Sequence, residues 1–444
     1  MPDKTKRRAA ILTLGCRVNQ YESDVAVSEL KKHGIEMVPF GDECEVAIIN
    51  TCAVTAESDR KSRQMIRRAA AFAEKVAVTG CYAQLTPDCG DLSDKVVYVC
   101  GNSGKASLAD VIIKLLDGDG TAERDSVTPP DSPSSVGMKL EVPNRTRSYI
   151  KIEDGCENVC SYCIINKARG PVRSKAKSLV TEETASLAAH GCREVILTGI
   201  ETASYGMDFA DRKPYGYHLA DLIAEIARID GIERIGLGSL EPTVATEYFA
   251  SVVAGAGKAL PHFHLSLQSG SSSVLRRMRR RYNARQASEA VAVMRRYIPD
   301  ATFSADIIVG FPGETDAEFD ETVRFCRDER LLHLHIFPYS KRAGTEAAAM
   351  PDQVPESLKH ERAEYLEKIG DGVRTELLEE YIEKHRRRPV FMLTEKCRGG
   401  SSTGHSEHFV EVKAEGCVSE IGEIVPVVLK KIEGGFCVGR KYTE

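Results

Sequence analysis

Three closely spaced cysteines are the strongest chemical signal in the sequence. Cys156, Cys160 and Cys163 lie in the segment DGCENVCSYCII, with a CxxxCxxC spacing directly after a predicted strand. Three thiolates can hold three irons of a [4Fe–4S] cluster and leave the fourth iron open to a substrate. A zinc site normally takes a fourth protein ligand, and the neighbouring run offers neither a histidine nor another cysteine. The spacing therefore favours a cluster over a zinc fragment or three inert buried cysteines.

A second set of cysteines lies in the N-terminal part of the chain. Cys16 occurs in LGCRVNQYES, Cys52 in NTCAVT and Cys81 in VTGCYAQ, each after a predicted strand. Because the carboxyl ends of parallel strands meet at one edge of a sheet, these three thiols can share a site. The alternative is three separate buried cysteines, since free cysteine is among the most buried residue types. The residues alone leave both interpretations open.

The hydrophobic pattern predicts the elements that position these cysteines. Residues 1–120 alternate short apolar runs with polar helical stretches, which indicates an α/β domain with a parallel sheet. Residues 121–144 are rich in Gly, Pro, Ser and Asp and read as a linker. Residues 145–380 hold six strand–helix units in a row, which predicts an open or partial (β/α) barrel. Residues 385–444 change to period-two apolar patterning and predict a small all-β module.

Composition limits the classes of function. The 444 residues carry a net charge of -5, so a nucleic-acid surface has to be a local patch. No apolar stretch reaches the roughly 18 residues that span a bilayer, and the 14 cysteines are too dispersed for a small secreted disulfide scaffold. We therefore expect a cytoplasmic protein with no membrane partner and with metal or redox chemistry.

Two basic runs are candidates for RNA contact, although a charge run is as often a solvated helix face. The runs are Arg60, Lys61, Arg63, Arg67 and Arg68, and Arg276, Arg277, Arg279, Arg280 and Arg281. His262 and His264, at a spacing of two on one predicted strand, could point into the barrel, but such histidines are more often satisfied core or rim residues. The other eight cysteines read as inert.

Many segments together resemble the radical S-adenosylmethionine methylthiotransferases. They cover nearly the whole chain and include GCRVNQYES, NTCAVTAESDRKSRQ, VTGCYAQ, YIKIEDGCENVCSYCIINKARG, LTGIETASYG, LGSLEP, HFHLSLQSGSSSVLRRMRRRY, DIIVGFPGETDAEF and HIFPYSKRAGT. The resemblance implies that Cys156, Cys160 and Cys163 hold the radical [4Fe–4S] cluster. It also implies that Cys16, Cys52 and Cys81 hold an auxiliary [4Fe–4S] cluster that carries the sulfur to be inserted.

The same resemblance implies a set of residues that bind S-adenosylmethionine. Tyr162 occupies the position that lies against the adenine, and Gly199 and Glu201 occupy that of the motif that contacts the methionine amino group, although Glu201 is not typical of this branch. The remaining positions lie at strand ends that line the cofactor pocket: Gln268, Asp306 and Gly310. The C-terminal module resembles a small TRAM-like RNA-binding barrel, to which Arg398, His405, His408 and Phe409 would contribute RNA contacts.

GCRVNQYES and the RKSRQ run fit the branch that acts on N6-threonylcarbamoyladenosine next to the anticodon of tRNA. The implied reaction makes the 2-methylthio derivative with two S-adenosylmethionine molecules and two [4Fe–4S] clusters. Its implied partners are the tRNA anticodon loop, an electron donor such as flavodoxin or ferredoxin, and a sulfur source. The alternatives are a sister methylthiotransferase acting on N6-isopentenyladenosine or on a ribosomal protein, and a non-catalytic iron–sulfur RNA-binding protein.

Overall fold

The computed structural model describes residues 7–118 and 136–442 and begins with a five-stranded parallel sheet. The sheet has the order β2-β1-β3-β4-β5. Its elements are β1 (Arg8–Thr13), α1 (Arg17–Lys32), β2 (Glu36–Val38), β3 (Cys44–Thr51), α2 (Ala56–Phe72), β4 (Ala73–Gly80), α3 (Cys81–Leu85), β5 (Val96–Val99) and α4 (Leu108–Asp117). Val46 to Ile49 of the central strand are fully buried, because helices cover both faces of a parallel sheet.

The middle of the chain forms two three-stranded parallel sheets, with the orders β10-β9-β6 and β11-β12-β13. A bridge between Leu240 and Leu265 joins them into one curved wall. The elements are β6 (Ser148–Lys151), β7 (Glu153–Asp154), α5 (Ile165–Arg169), β8 (Arg173–Ser174), α6 (Lys177–Ala189), β9 (Glu194–Thr198), α7 (Tyr217–Ile226), β10 (Arg234–Leu237), α8 (Glu247–Gly255), β11 (His262–Gln268), α9 (Ser272–Arg277), α10 (Ala284–Tyr297), β12 (Thr302–Val309), α11 (Asp316–Asp328) and β13 (His333–Pro338).

A long helix, α12 (Glu356–Lys384), leads to a closed five-stranded barrel with the order β14-β15-β16-β18-β17. Its strands are β14 (Val390–Arg398), β15 (Ser401–His405), β16 (Glu411–Glu415), β17 (Ile424–Glu433) and β18 (Phe436–Lys441). Alternate residues of β17, such as Val425 and Val427, fill its core. Cys397 and Cys417 form a disulfide here, so two of the cysteines that the sequence suggested were inert are paired.

The predicted fold class is confirmed: an N-terminal parallel-sheet α/β unit, a partial (β/α) barrel and a small C-terminal β-barrel. Residues 119–135, which include the first part of the linker predicted at 121–144, lie outside the described residues. The following segment is ordered, because Met138 and Leu140 are buried and the Tyr21 hydroxyl donates to the Met138 carbonyl at 2.5 Å. Among the described residues, none of the helices has the length and apolar character needed to cross a membrane.

The C-terminal barrel packs against the amino-terminal ends of the β11 to β13 strands. The Phe409 ring lies between His262, at 4.8 Å between ring centroids, and His405, at 4.5 Å. His408 is buried, and its carbonyl accepts a hydrogen bond from the Thr302 hydroxyl at 2.8 Å. His408 is therefore used in packing the module onto the protein, while His405 and Phe409 keep part of their surface exposed. The RNA contacts expected of these three residues stay a prediction.

Candidate active site

The first cysteine triad lies on the loop between β7 and α5, at the carboxyl end of the barrel strands. The thiols of Cys156, Cys160 and Cys163 are half-buried and close enough for their charges to act on one another. Backbone N–H groups donate to two of the sulfurs: Asn158 to Cys156 and Ile165 to Cys163, each at 3.4 Å. Three converging thiols with N–H donors fit the donor set of a cluster with three protein ligands.

The third sulfur of this triad takes its hydrogen bond from an arginine. Arg280 Nη1 donates to Cys160 Sγ at 3.3 Å, and its Nη2 donates to the Ser266 carbonyl at 3.0 Å. Nη2 also lies 3.3 Å from the Glu241 carboxylate, and the Arg280 side chain is only 5% exposed. This buried cation is placed to stabilise negative charge on the sulfur ligands.

A cavity of about 330 Å³ opens over this triad. Strand ends from the barrel line it, including Glu201 after β9 and Gln268 at the end of β11. Val54 and Thr55, which follow Cys52 in the N-terminal unit, line the same cavity. The Ala56 N–H donates to Ser340 Oγ at 3.1 Å, which ties the N-terminal loop to the rim of the barrel. The two predicted cluster regions therefore border one chamber.

The second triad is brought together at the carboxyl edge of the N-terminal sheet. Cys16 caps α1, Cys52 follows β3 and Cys81 begins α3, so the three follow the adjacent strands β1, β3 and β4. The charges of the three thiols would act on one another. The Asn102 amide donates to Cys81 Sγ at 3.6 Å and to the Ala168 carbonyl at 2.9 Å. Asn102 thus links this triad to α5, which follows the other triad.

Several thiols of the two triads lie in surroundings that disfavour the thiolate and raise their pKa. Burial raises the pKa of Cys52 to about 11 and the pKa of Cys163 to about 11. Desolvation raises the pKa of Cys16 although the residue keeps an exposed surface, and the nearby Arg169 guanidinium opposes that shift. Metal binding at either triad would have to displace protons, as metal binding to cysteine generally does.

Glu201 lies in a buried acidic network beside the cavity. Its carboxylate accepts hydrogen bonds from the Glu241 N–H at 3.0 Å and the Ser266 hydroxyl at 3.4 Å. Burial and the neighbouring Glu241 charge raise the pKa of Glu201 to about 7, while Arg280 opposes that shift. A carboxyl group of this kind favours a cationic ligand, because a positive charge relieves the cost of ionising it.

Three other predicted cofactor residues also line the cavity: Tyr162, Gln268 and Asp306. The Tyr162 ring packs edge-on against Phe311 with the centroids 6.4 Å apart. Gln268 has a φ of 70°, where a non-glycine residue is uncommon, and the β11 to β12 pairing is irregular at this point. Such backbone strain clusters at functional sites.

Two glycines that were predicted to bind the cofactor, Gly199 and Gly310, pack closely against other residues of the protein. A Cβ on Gly199 would lie 1.9 Å from Glu153 Oε1, so the position requires glycine for close packing. The Gly310 N–H donates to Glu314 Oε2 at 2.7 Å, and a Cβ there would lie 2.4 Å from the Lys359 side chain. The binding roles of Gly199 and Gly310 stay predictions, as do those of the other site residues.

Arg280 is the main residue that the sequence did not single out for this site. In the sequence it is one of five arginines in a run that suggested RNA contact. In the structure the side chains of this run point in different directions. Arg277 pairs with Glu318 at 2.8 Å and Arg279 with Glu346 at 2.8 Å, while Arg280 turns inward. The preceding residue, Arg279, has a φ of 58° and redirects the chain after α9. No spacing rule identifies such a turn in advance.

Comparisons with known proteins agree with this geometry. Residues 150–326 match the model of the radical SAM superfamily, and residues 8–101 match the uncharacterized protein family UPF0004. A Bacillus subtilis protein named threonylcarbamoyladenosine tRNA methylthiotransferase is 35% identical over 95% of this chain and 93% of its own length. A Thermotoga maritima protein of the same name is also 35% identical, over 95% of this chain and 94% of its own.

A Pelotomaculum thermopropionicum protein named tRNA-2-methylthio-N(6)-dimethylallyladenosine synthase is 31% identical over 95% of each chain. Among solved structures, a radical S-adenosylmethionine methyltransferase from Kitasatospora setae with cobalamin and a [4Fe–4S] cluster bound superimposes with a TM-score of 0.54. It is 15% identical and covers 78% of this chain and 77% of its own. At 15% identity this similarity supports the fold alone.

Proposed function

The chain belongs to the radical S-adenosylmethionine methylthiotransferases, and from this premise we propose that it acts on N6-threonylcarbamoyladenosine next to the anticodon of tRNA. The product would carry a methylthio group on carbon 2 of the adenine. The reaction would use two S-adenosylmethionine molecules and two [4Fe–4S] clusters. Relatives from Bacillus subtilis and Thermotoga maritima that carry the threonylcarbamoyladenosine name support this choice.

One structural observation carries the proposal: the loop that holds the first cysteine triad and the loop after Cys52 of the second triad border a single cavity. Val54 and Thr55, which follow Cys52, line the chamber above Cys156, Cys160 and Cys163. A base placed there has a radical-generating site on one side and a sulfur-carrying site on the other. Proximity of this kind is what transfer of a sulfur-containing group requires.

In this scheme Cys156, Cys160 and Cys163 would hold the radical cluster, and Cys16, Cys52 and Cys81 would hold the auxiliary cluster. When bound, the cofactors supply the reductive cleavage of S-adenosylmethionine and the sulfur. The chain contributes position and electrostatics. Arg280 stabilises charge on Cys160 at 3.3 Å, and Glu201 offers a buried carboxyl to the amino group of S-adenosylmethionine.

The N-terminal loop forms part of the chamber wall, and the water that it excludes cannot compete for reactive species. The hydrogen bond from Ala56 to Ser340 holds the loop in place, as does the ion pair between Arg342 and Asp59. An adenosine in a single-stranded anticodon loop suits this chamber, because it can be splayed out without breaking a duplex. The proposal also requires a one-electron donor such as flavodoxin or ferredoxin, and a sulfur source.

The test offers the anaerobically reconstituted enzyme equal amounts of three tRNAs: one with threonylcarbamoyladenosine, one with isopentenyladenosine and one unmodified. Digestion and mass spectrometry quantify the methylthio nucleosides. A pocket that hydrogen-bonds the polar threonylcarbamoyl group discriminates against an apolar chain by roughly 10⁴-fold, so we expect product from the first tRNA alone.

Comparable product from the isopentenyl tRNA would move the assignment to the sister enzyme. Absence of product from every tRNA, with methylthiolation of a ribosomal protein, would move it to the protein-modifying relatives. A non-catalytic iron–sulfur protein would release no 5′-deoxyadenosine after reduction.

A further inference from the structure

A second cavity lies inside the barrel, at the opposite end of the strands from the cysteine loop. Its volume is about 210 Å³, and five histidines line it. His262 and His264 come from β11, His333 and His335 from β13, and His405 from the C-terminal module. The proposed methylthiotransfer uses none of these side chains.

Two of these histidines converge on one carboxylate. His264 Nε2 and His335 Nδ1 each lie 3.2 Å from Asp306 Oδ1. Strand register explains the convergence: Asp306 pairs with His335 across β12 and β13, while His264 on β11 pairs with Ser304, two residues before Asp306. One ligand atom from each of His264, Asp306 and His335 lies within 4.8 Å of the other two.

We propose that His264, Asp306 and His335 bind one first-row divalent transition-metal ion. Ligand atoms about 2.1 Å from such an ion are separated by about 3.0 Å at right angles and about 3.4 Å in a tetrahedron. The two observed separations of 3.2 Å fall in that range. Two imidazoles and one carboxylate form the facial set that leaves coordination positions open, and here the adjacent cavity holds room for water at those positions.

The surroundings orient the ligands as they do in metal sites. The other ring nitrogen of His264, Nδ1, is hydrogen-bonded to Ser304 Oγ at 2.8 Å, which directs Nε2 toward Asp306. A hydrogen-bonded second nitrogen that fixes ring orientation is a regular feature of metal-binding histidines. Ser304 Oγ also lies 3.2 Å from His262 Nε2, so the oriented hydroxyl is itself held in place.

Asp306 lines the cavity over the first cysteine triad. Its carboxylate contacts His264 and His335, which line the histidine cavity at the opposite end of the strands. An ion bound to His264, Asp306 and His335 would therefore fix the Asp306 carboxylate, which forms part of the wall of the cavity over the cysteine triad. The proposed metal site differs from both cysteine triads in the type of its ligand atoms. Its ligand atoms are nitrogen and oxygen, whereas those of the triads are sulfur.

Mn²⁺ is the suitable probe, since imidazole and carboxylate accept it while thiolates select softer ions. The experiment uses the full chain with both clusters loaded and in their diamagnetic oxidised state. Free Mn²⁺ is counted by its electron paramagnetic resonance signal during a titration. His335→Gln and Asp306→Asn remove ligands, and His190→Gln is the matched control because its exposed ring contacts the Ser186 carbonyl, at 2.8 Å, on a distant helix. His335 is itself half exposed, so its substitution leaves the packing intact.

We expect one Mn²⁺ per chain in the parent protein and in His190→Gln. Affinity should fall at least about tenfold in His335→Gln and in Asp306→Asn. Pulsed resonance of the bound ion should show coupling to directly bonded imidazole nitrogen that weakens in His335→Gln. Unchanged affinity in both ligand variants, or no bound Mn²⁺ in the parent protein, would show that the three residues form a hydrogen-bonded cluster without a metal.

Discussion

Arg280 Nη1 donates a hydrogen bond to Cys160 Sγ across 3.3 Å, from a side chain that is almost completely buried. Hydrogen bonds to sulfur ligands and nearby positive charge stabilise the reduced, more negative state of an iron–sulfur cluster. Under the proposed assignment of Cys156, Cys160 and Cys163 to the radical cluster, this contact influences how readily that cluster accepts an electron.

We expect Arg280→Gln to lower the reduction potential of the cluster on Cys156, Cys160 and Cys163 by an amount on the order of tens of millivolts. The potential is measured by a redox titration followed by electron paramagnetic resonance, in a background without the auxiliary cysteines. Arg281→Gln is the control, because the exposed Arg281 donates to the Glu157 carbonyl and not to a sulfur ligand. Equal potentials in the two variants would remove Arg280 from cluster tuning.

The auxiliary triad gives a second prediction. Replacing Cys16, Cys52 and Cys81 with Ala should reduce the iron content from about eight to about four per chain. The variant should still cleave S-adenosylmethionine to 5′-deoxyadenosine but form no methylthio nucleoside. Cys44→Ala, which removes a buried cysteine outside both triads, should retain all the iron. Loss of cleavage with an intact radical cluster would contradict a division of labour between the two units.

The auxiliary triad could be predicted from the sequence because sheet geometry is general. Once Cys16, Cys52 and Cys81 are each placed after a parallel strand, the topology brings them to one edge. The direction of individual side chains in packed interfaces could not be predicted in this way. Phe409 and His405 lie in a module more than one hundred residues away along the chain from His262, and only docking of the module decides that their rings stack.

A buried charge network joins the N-terminal unit to the barrel and carries a stability prediction. Arg169 is fully buried, and its guanidinium contacts Glu22 at 2.9 Å and Asp154 at 3.0 Å. Removing one partner of a buried ion pair leaves uncompensated charge and costs about 3–5 kcal/mol. Arg169→Met should therefore lower the denaturation midpoint measured anaerobically in urea. Exposed Arg212→Met should leave the midpoint unchanged, and equal midpoints would show that the network contributes little.

The raised pKa of Glu201 leads to a prediction of how the affinity for S-adenosylmethionine depends on pH. Its pKa is raised to about 7 by burial and by Glu241, so below that pH the carboxyl group is protonated in the unliganded protein. S-adenosylmethionine carries a positive charge on its sulfonium and binds the ionised form of Glu201 more tightly, so binding below this pKa releases a proton. Affinity should rise by up to about tenfold per pH unit on the acidic side and level off above the pKa.

The affinity is measured by equilibrium dialysis across this pH range. Glu201→Gln should bind more weakly at high pH and show a flat profile through neutral pH. Glu157→Gln changes an exposed carboxylate near the cysteine loop and should keep the parent profile. A pH dependence that survives in Glu201→Gln would assign the titration to another group.

The last prediction concerns the surface that holds tRNA. Because His408 is buried and His405 and Phe409 pack in part against the barrel, the exposed arginines on the outer side of the C-terminal region are further candidates for RNA contact. Arg386, Arg387 and Arg388 are exposed where α12 ends and the module begins, and Arg398 is exposed at the end of β14. Arginine suits phosphate contacts through its forked guanidinium. Deleting the module would uncover apolar residues such as Leu378, so substitution is the sharper test.

Replacing Arg386, Arg387 and Arg388 together with Gln should weaken tRNA binding and reduce its salt dependence, by about one unit of log–log slope for each arginine that pairs with a phosphate. Cleavage of S-adenosylmethionine without tRNA should not change, because the cofactor chamber lies at the other end of the barrel strands. Filter binding at several salt concentrations measures both the affinity and the slope. The control replaces Lys430 and Lys431, whose ammonium groups pair with Glu415 and Glu433. If the triple variant keeps the parent affinity and slope, the tRNA surface lies elsewhere on the protein.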